Sequence, residues 1–121
     1  MADPERIGAH WTFPALIFRG EGRLVFDSEA PFARNTAGLL GFYERQGVAR
    51  AERRLIEVLA MSENGVAITV ADRMLDAGGG EIVSWKAAYL LQGLQQGWRA
   101  AVAFADGEIA AWAARGTPLG R

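Results

Sequence analysis

The chain of 121 residues contains no cysteine and only one histidine, His10. The lack of cysteine excludes disulfides, thiol chemistry and cysteine-ligated metal sites. A single histidine excludes a multi-histidine metal site within one chain. The sequence also lacks a nucleophile motif, a phosphate-binding loop and a metal-ligand spacing. We therefore expect neither a metal nor a cofactor.

The chain also lacks an excess of charge. Its 13 basic and 14 acidic residues give a net charge of −1, which provides no electrostatic footprint for nucleic acid or an acidic membrane surface. No apolar run approaches the ~20 residues that span a bilayer, and the N-terminal sequence lacks the pattern of a signal peptide. We expect a cytoplasmic protein with neither nucleic acid nor a membrane as its partner.

The chain does contain a long run of strand patterns. Its total length suggests one domain over residues 1–121. Half of its residues are apolar, an ordinary globular balance. Turn signals divide the stretch from Arg50 to Phe104 into four strands. The predicted strands are Arg50–Met61, Val66–Leu75, Ile82–Leu91 and Trp98–Phe104. The Asn64-Gly65 pair between the first two predicts a hairpin with a type I′ turn.

The remaining segments are predicted to cover this sheet. They are a short helix that begins at Asp3 and ends before Phe13, a hairpin of strands Ala15–Phe18 and Arg23–Phe26, a long helix from a Ser28 cap to Gly47, and a last helix that Asp106 caps and that ends at Arg115. Gly38 and Gly41 in the long helix suggest close packing against a strand. The four long strands alternate only weakly between apolar and polar residues, with Trp98, Ala100, Val102 and Phe104 expected on one face of the last strand. Both faces of the sheet are therefore expected to be covered, one by the helices and the other by a second subunit.

Several segments in this order resemble the nuclear-transport-factor-two-like superfamily, and within it the SnoaL-like domain proteins. The segments are Asp-Pro-x-x-Ile-x-x-His-Trp at 3–11, Pro-Ala-Leu-Ile-Phe at 14–18, Gly-Phe-Tyr-x-x-Gln-Gly-Val at 41–48, Ser-Trp-x-x-x-Tyr-Leu-Leu at 84–91 and Gly-Trp-Arg at 97–99. The resemblance implies an α+β, cystatin-like fold in which a cone-shaped, curved antiparallel sheet wraps around helices and leads to an apolar pocket. It also implies a homodimer formed through the sheet.

Relative to this superfamily, the chain is short at its N-terminus. Because the chain begins almost at the segment that matches the second helix, we expect either that translation starts further upstream or that the protein manages without the first helix of the superfamily. That absence is expected to leave apolar surface open or to let a partner chain fill it.

Enzymes of the superfamily use carboxylates in an apolar pocket, where burial raises the pKa toward neutrality. By this resemblance, the catalytic acids are expected near the first short strand and on a late strand. The corresponding segments of this chain, 15–19 and 87–90, hold no acid, so the sequence favours a protein without catalysis. Asp72 is the best remaining catalytic candidate, since it continues an apolar strand face. It is otherwise solvated or paired with Arg73, Arg54 or Lys86. His10 is a candidate base or simply a helix-end residue.

Four aromatic residues are candidates for the ligand pocket, with core packing or dimer contact as the alternative. They are Trp11, Tyr43, Trp85 and Tyr89. The run from Glu52 to Arg54 is expected to be an exposed strand start. Three functions stay open: a homodimer that binds a small apolar or amphipathic ligand without catalysis, a small cofactor-free isomerase, hydratase or polyketide-cyclase-like enzyme, and an accessory module that binds another protein.

Overall fold

The computed structural model describes residues 3–119, which form three helices and six strands in the predicted order. The elements are α1 (Pro4–Gly8), β1 (Trp11–Arg19), β2 (Gly22–Phe26), α2 (Glu29–Arg45), β3 (Arg50–Ser62), β4 (Gly65–Leu75), β5 (Glu81–Leu94), β6 (Gly97–Phe104) and α3 (Asp106–Arg115). The first two and last two positions of the predicted domain lie outside the described residues.

One curved sheet holds all six strands, in the order β2-β1-β6-β5-β4-β3. Neighbouring strands are antiparallel except for β1 and β6, the first and last strands of the chain, which run parallel. Together with the three helices, the sheet confirms the predicted α+β class.

The first strand is longer than predicted. It begins at Trp11 and passes through Pro14, whereas the prediction placed Trp11 at the end of a helix and started the strand at Ala15. α1 ends at Gly8. The strand accommodates Pro14 because the register with β6 shifts between Trp11 and Leu16, and a bulge tolerates a residue without an N–H.

The helix ends follow the predicted signals in part. Ser28 takes the N-cap position of α2 but makes no side-chain cap hydrogen bond, and Gly47 has the left-handed φ of 83° that follows a helix end. Asp106 is the first residue of α3 rather than its cap, because its Oδ1 accepts a hydrogen bond from the Gly20 N–H at 2.5 Å. Gly38 does not pack on a strand, since a Cβ there would meet nothing within 4 Å.

The β3–β4 hairpin is present, but its turn differs from the prediction. Ser62 pairs with Gly65, so the two turn residues are Glu63 and Asn64. Neither of them has a positive φ, and the type I′ prediction for Asn64-Gly65 is therefore wrong.

The face prediction for β6 is also wrong. Leu90 pairs with Val102 and Leu91 with Ala100, so Ala101 is an extra residue in β6. This bulge moves Val102 and Phe104 to the face opposite Ala100, because successive strand residues point to opposite faces.

The core has two parts on the concave face of the sheet. The larger part joins the end of α2, β4, β5 and α3 around Trp112, which is 0% exposed. The smaller part joins Ala15, Phe26 and Phe32 near the start of α2. Because α2 contributes to both parts, it fixes the space that remains between the helices and the sheet.

Apolar residues at one sheet edge stay exposed in the single chain. β3 is that edge, and its exposed large apolar residues are Leu55, Ile56, Val58, Leu59 and Met61. Within residues 3–119, no helix has the length and apolar character needed to cross a membrane.

Candidate functional site

A cavity of about 1150 Å³ opens between α2, α3 and the concave face of the sheet. Its size is slightly above the usual range for small-molecule sites, roughly 300–1,000 Å³. All six residues that the sequence singled out lie along its wall or rim: His10, Trp11, Tyr43, Asp72, Trp85 and Tyr89. His10 is exposed at the rim, whereas Asp72 and Trp85 are buried.

An ion pair stands on the sheet wall of this cavity. Asp72 on β4 faces Arg53 on β3, and the guanidinium donates to both carboxylate oxygens, with Nε–Oδ1 at 2.7 Å and Nη2–Oδ2 at 2.8 Å. None of the three partners expected for Asp72 is therefore correct. Such a bidentate pair fixes the guanidinium plane. The side chain of Arg53 remains 52% exposed, so the pair offers an ordered cationic group at the cavity mouth.

Tyr89 on β5 extends this pair. Its hydroxyl accepts a hydrogen bond from Arg53 Nη2 at 2.9 Å, and the guanidinium carbon lies 5.0 Å from the centre of the tyrosine ring. Burial, the largest cause, raises the pKa of Tyr89, and the nearby Arg53 opposes the shift. The phenol therefore keeps its proton at neutral pH and can donate it to a further group.

A second polar cluster joins the helices at the same cavity. The hydroxyl of Tyr43 donates a hydrogen bond to Glu108 Oε2, and the indole N–H of Trp112 donates to the same oxygen at 3.2 Å. Glu108 Oε1 has no hydrogen-bond partner among residues 3–119, yet it is not sealed from solvent, since Glu108 lines the cavity. One carboxyl oxygen of this cavity-lining residue is thus anchored, and the other makes no hydrogen bond to the described residues.

The surroundings of this cluster favour the protonated forms of its groups. Burial is the largest cause that raises the pKa of the Glu108 carboxyl, and the hydrogen bonds from Tyr43 and Trp112 offset it in part. Burial also raises the pKa of Tyr43 well above its ordinary value, followed by the negative charge of Glu108. A carboxyl with a raised pKa can exchange a proton nearer to neutral pH than an exposed one.

Gly107 sets the distance between α3 and the sheet. A Cβ at this position would collide with the backbone carbonyl oxygen of Lys86 on β5. Only glycine permits this approach, and the approach brings the neighbouring Glu108 to the cavity.

Aromatic contacts adjoin both polar clusters. The ring of Trp11 lies 4.9 Å from Phe32 on α2 and 6.2 Å, edge-on, from Tyr89, as measured between ring centres. Trp85 contacts Trp112 at 6.3 Å. The cavity thus combines an aromatic and aliphatic lining with two polar clusters, an arrangement typical of a site for a small molecule.

Comparison with known families agrees with this architecture. Residues 1–108 match the family described as NTF2-like protein (DUF6841). The chain belongs to this NTF2-like family. The match confirms the predicted superfamily.

Solved structures show the same NTF2-like fold at low sequence identity. A ketosteroid isomerase-like protein from Erwinia carotovora atroseptica is 16% identical with a TM-score of 0.63, over 84% of this chain and 78% of that one. An NTF-2 like protein of unknown function from Shewanella oneidensis is 7% identical with a TM-score of 0.64, over 84% and 81%. A domain of unknown function with a cystatin-like fold from Nostoc punctiforme is 16% identical with a TM-score of 0.65, over 84% and 63%.

No curated protein matches the chain. At these identities the solved structures establish only the fold of the NTF2-like chain. Its function has to be argued from the residues of the site.

Two polar residues of the site were missed from the sequence. Arg53 was assigned to an exposed strand start, although it faces Asp72 across the β3–β4 pair. Glu108 lies in the first turn of α3, where acids are common because their negative charge interacts favourably with the positive end of the helix dipole. Glu108 differs from other first-turn acids because Gly107 lets α3 approach β5 closely, which brings Glu108 to the cavity. This approach can be recognised only in the three-dimensional structure.

Proposed function

We propose that this NTF2-like protein binds a small apolar or amphipathic molecule in its cavity. The observation that supports the proposal is the volume of about 1150 Å³ between helices and sheet, lined largely by aromatic and aliphatic side chains. Burial of apolar surface contributes roughly 25 cal/mol per Å² to the free energy of binding. A ligand whose apolar surface fills part of this space therefore gains affinity from burial alone.

A neutral fluorescent probe tests this proposal. N-phenylnaphthylamine should bind with saturable enhancement of its fluorescence. Ala51→Trp should weaken the binding about tenfold or more, because Ala51 is an exposed residue on the cavity lining and a large ring there fills the mouth. Ala37→Trp serves as the matched control, since Ala37 is exposed on α2 but does not line the cavity. Equal binding by both variants would contradict the proposal.

Glu108 favours a second candidate function, acid–base catalysis of the isomerase, hydratase or cyclase type. A cavity-lining carboxyl group with a raised pKa and one oxygen free of protein partners among the described residues is suited to take a proton from an apolar substrate. Steroid-like, polyketide-like and epoxide substrates should be screened for turnover. If turnover is found, Glu108→Gln should lower kcat by about 10²–10⁴-fold, whereas Glu44→Gln, at an exposed position outside the cavity, should leave it unchanged. Retention of activity in Glu108→Gln would reject this candidate.

We also propose that the protein is a homodimer that packs through the outer face of its sheet. An apolar row crosses all six strands on the face opposite the cavity; its members, in register, are Val25, Leu16, Val102, Leu90, Ala67 and Leu59. A row that is apolar along its whole length is self-complementary, as a twofold interface requires. The same contact would cover part of the exposed β3 edge.

Two leucines on β3 provide a matched test of this dimer. Leu59 lies on the outer face opposite Ala67, and Leu55 lies on the inner face opposite Val70; they are 55% and 56% exposed. Light scattering should show a dimer at micromolar concentration. Leu59→Lys should raise its dissociation constant about tenfold or more, and Leu55→Lys should not. A wild-type monomer under these conditions would contradict the dimer.

A further inference from the structure

The cavity is lined by an excess of positive charge, although the chain as a whole is slightly acidic. Its lining includes five arginines but only two of the fourteen acidic residues of the chain. The arginines are Arg19, Arg34, Arg45, Arg50 and Arg53, and the acids are Asp72 and Glu108. A concave, low-dielectric surface focuses such a field. An anionic ligand would therefore be attracted to a cavity in a protein of net charge −1.

Three of these five arginines make no ion pair with the described residues. Arg50 pairs with Glu52 at 3.0 Å and Arg53 with Asp72 at 2.7 Å. Within residues 3–119, the other three arginines of the lining make no ion pair. No direct salt bridge to a described residue therefore offsets their charge.

Arg53 is the arginine whose orientation is fixed. Its Nε and Nη2 donate to Asp72, and Nη2 also donates to the Tyr89 hydroxyl. Its Nη1 has no acceptor among the described residues, while the side chain is half exposed and lines the cavity. The guanidinium carries five N–H donors in a planar fork. Asp72 and Tyr89 thus occupy one side of the fork and leave Nη1 free for a ligand.

Tyr89 supplies a second donor next to this one. Its oxygen accepts from Arg53, and its own proton has no acceptor among residues 3–119. Because the ring packs edge-on against Trp11, the phenol is held against the cavity wall. Two ordered donors, one of them charged, match the two acceptor oxygens of a carboxylate.

We infer that the cavity takes an amphipathic carboxylate, whose head group accepts hydrogen bonds from Arg53 Nη1 and the Tyr89 hydroxyl and whose apolar body lies against the aromatic and aliphatic lining. Asp72 is then a positioning residue that holds the guanidinium in place. This inference rests on the proposed binding function and specifies the chemical class of its ligand.

Displacement of N-phenylnaphthylamine by octanoate, octanol and octylamine tests the inference, because the three share one apolar chain and differ in the head group. Octanoate should bind about tenfold more tightly than octanol at low salt, and octylamine more weakly than either. Arg53→Gln should abolish the preference for octanoate over octanol. Arg54→Gln, on the outer face opposite Ala71, should keep the preference.

Tyr89→Phe provides a second variant that leaves the Arg53–Asp72 pair intact. It should lower the ratio of octanoate affinity to octanol affinity severalfold. Equal binding of octanoate and octanol by the wild-type protein, or an octanoate preference that survives Arg53→Gln, would overturn the inference. Binding of the neutral probe in those cases would leave the proposed function standing, whereas failure of the neutral probe to bind would reject the proposed function itself.

Discussion

Arg53 lies directly opposite Asp72 in the β3–β4 register, and it holds both oxygens of this buried carboxylate. Arg53→Met should lower the free energy of unfolding by about 1–3 kcal/mol, because the carboxylate then loses its charged donor. The double variant Arg53→Met/Asp72→Asn should lose less than the sum of the two single changes, since Asn carries no charge that needs compensation. Urea denaturation of the four proteins measures this coupling.

Arg54→Met is the control for this cycle. Arg54 is exposed and faces Ala71 on the outer side of the same strand pair, so its replacement should change the free energy of unfolding by less than about 0.5 kcal/mol. Strictly additive effects of Arg53→Met and Asp72→Asn would show that the two side chains do not depend on each other.

Glu108 should make the stability of the protein depend on pH. Burial, partly offset by hydrogen bonds, raises its folded-state pKa above the ordinary value of 4.5. The folded protein therefore binds more protons than the unfolded chain in the window from 4.5 up to the raised pKa, and its stability falls as pH rises through this window. Glu108→Gln should remove that contribution, which chemical denaturation at a series of pH values will show.

The control for this pH series is Glu44→Gln, at an exposed position on α2. It should follow the wild-type pH profile. A Glu108→Gln profile with the wild-type slope across the window would mean that Glu108 titrates alike in the folded and unfolded chain.

Two helical glycines, Gly107 in the first turn of α3 and Gly38 inside α2, should respond oppositely to alanine. Gly107→Ala should destabilise the protein by about 1–3 kcal/mol, because its Cβ collides with the Lys86 carbonyl oxygen and forces α3 away from β5. Gly38→Ala should stabilise it by up to about 1 kcal/mol, because no atom lies within 4 Å of the new Cβ and alanine favours the helix. Thermal unfolding compares the two. If Gly107→Ala leaves the stability unchanged, the position of α3 does not depend on its close contact with β5 at Gly107.

The order of elements could be predicted from the sequence because turns and helix ends carry local signals. Gly47, with its left-handed φ, ends α2 as predicted. The faces of β6 could not be predicted, since the bulge at Ala101 lies in a run of small apolar residues that shows no alternation. The start of β1 was missed because Pro14 argues against a strand, although a register shift accommodates it.

The candidate site was predicted in part. Asp72 stood out as a charge on an apolar strand face, and the structure places it in the cavity wall. Its partner depends on the register of β3 and β4, which the turn at Glu63 and Asn64 and the extra residues in β3 determine. Such a register is not encoded in any short motif. Glu108 was missed because the contact that brings it to the cavity joins α3 to β5.

The most direct test of ligand binding in the cavity uses the two methionines of the described residues as reporters. Met74 is 5% exposed and lines the cavity, whereas Met61 is 63% exposed at the end of β3 and does not. The protein is labelled with ¹³C at the methionine methyl groups, the signals of Met61 and Met74 are assigned with Met61→Leu and Met74→Leu, and N-phenylnaphthylamine is titrated. The Met74 signal should shift and saturate while the Met61 signal stays fixed. A Met74 signal that does not move at probe saturation, or a shift confined to Met61, would contradict binding in the cavity.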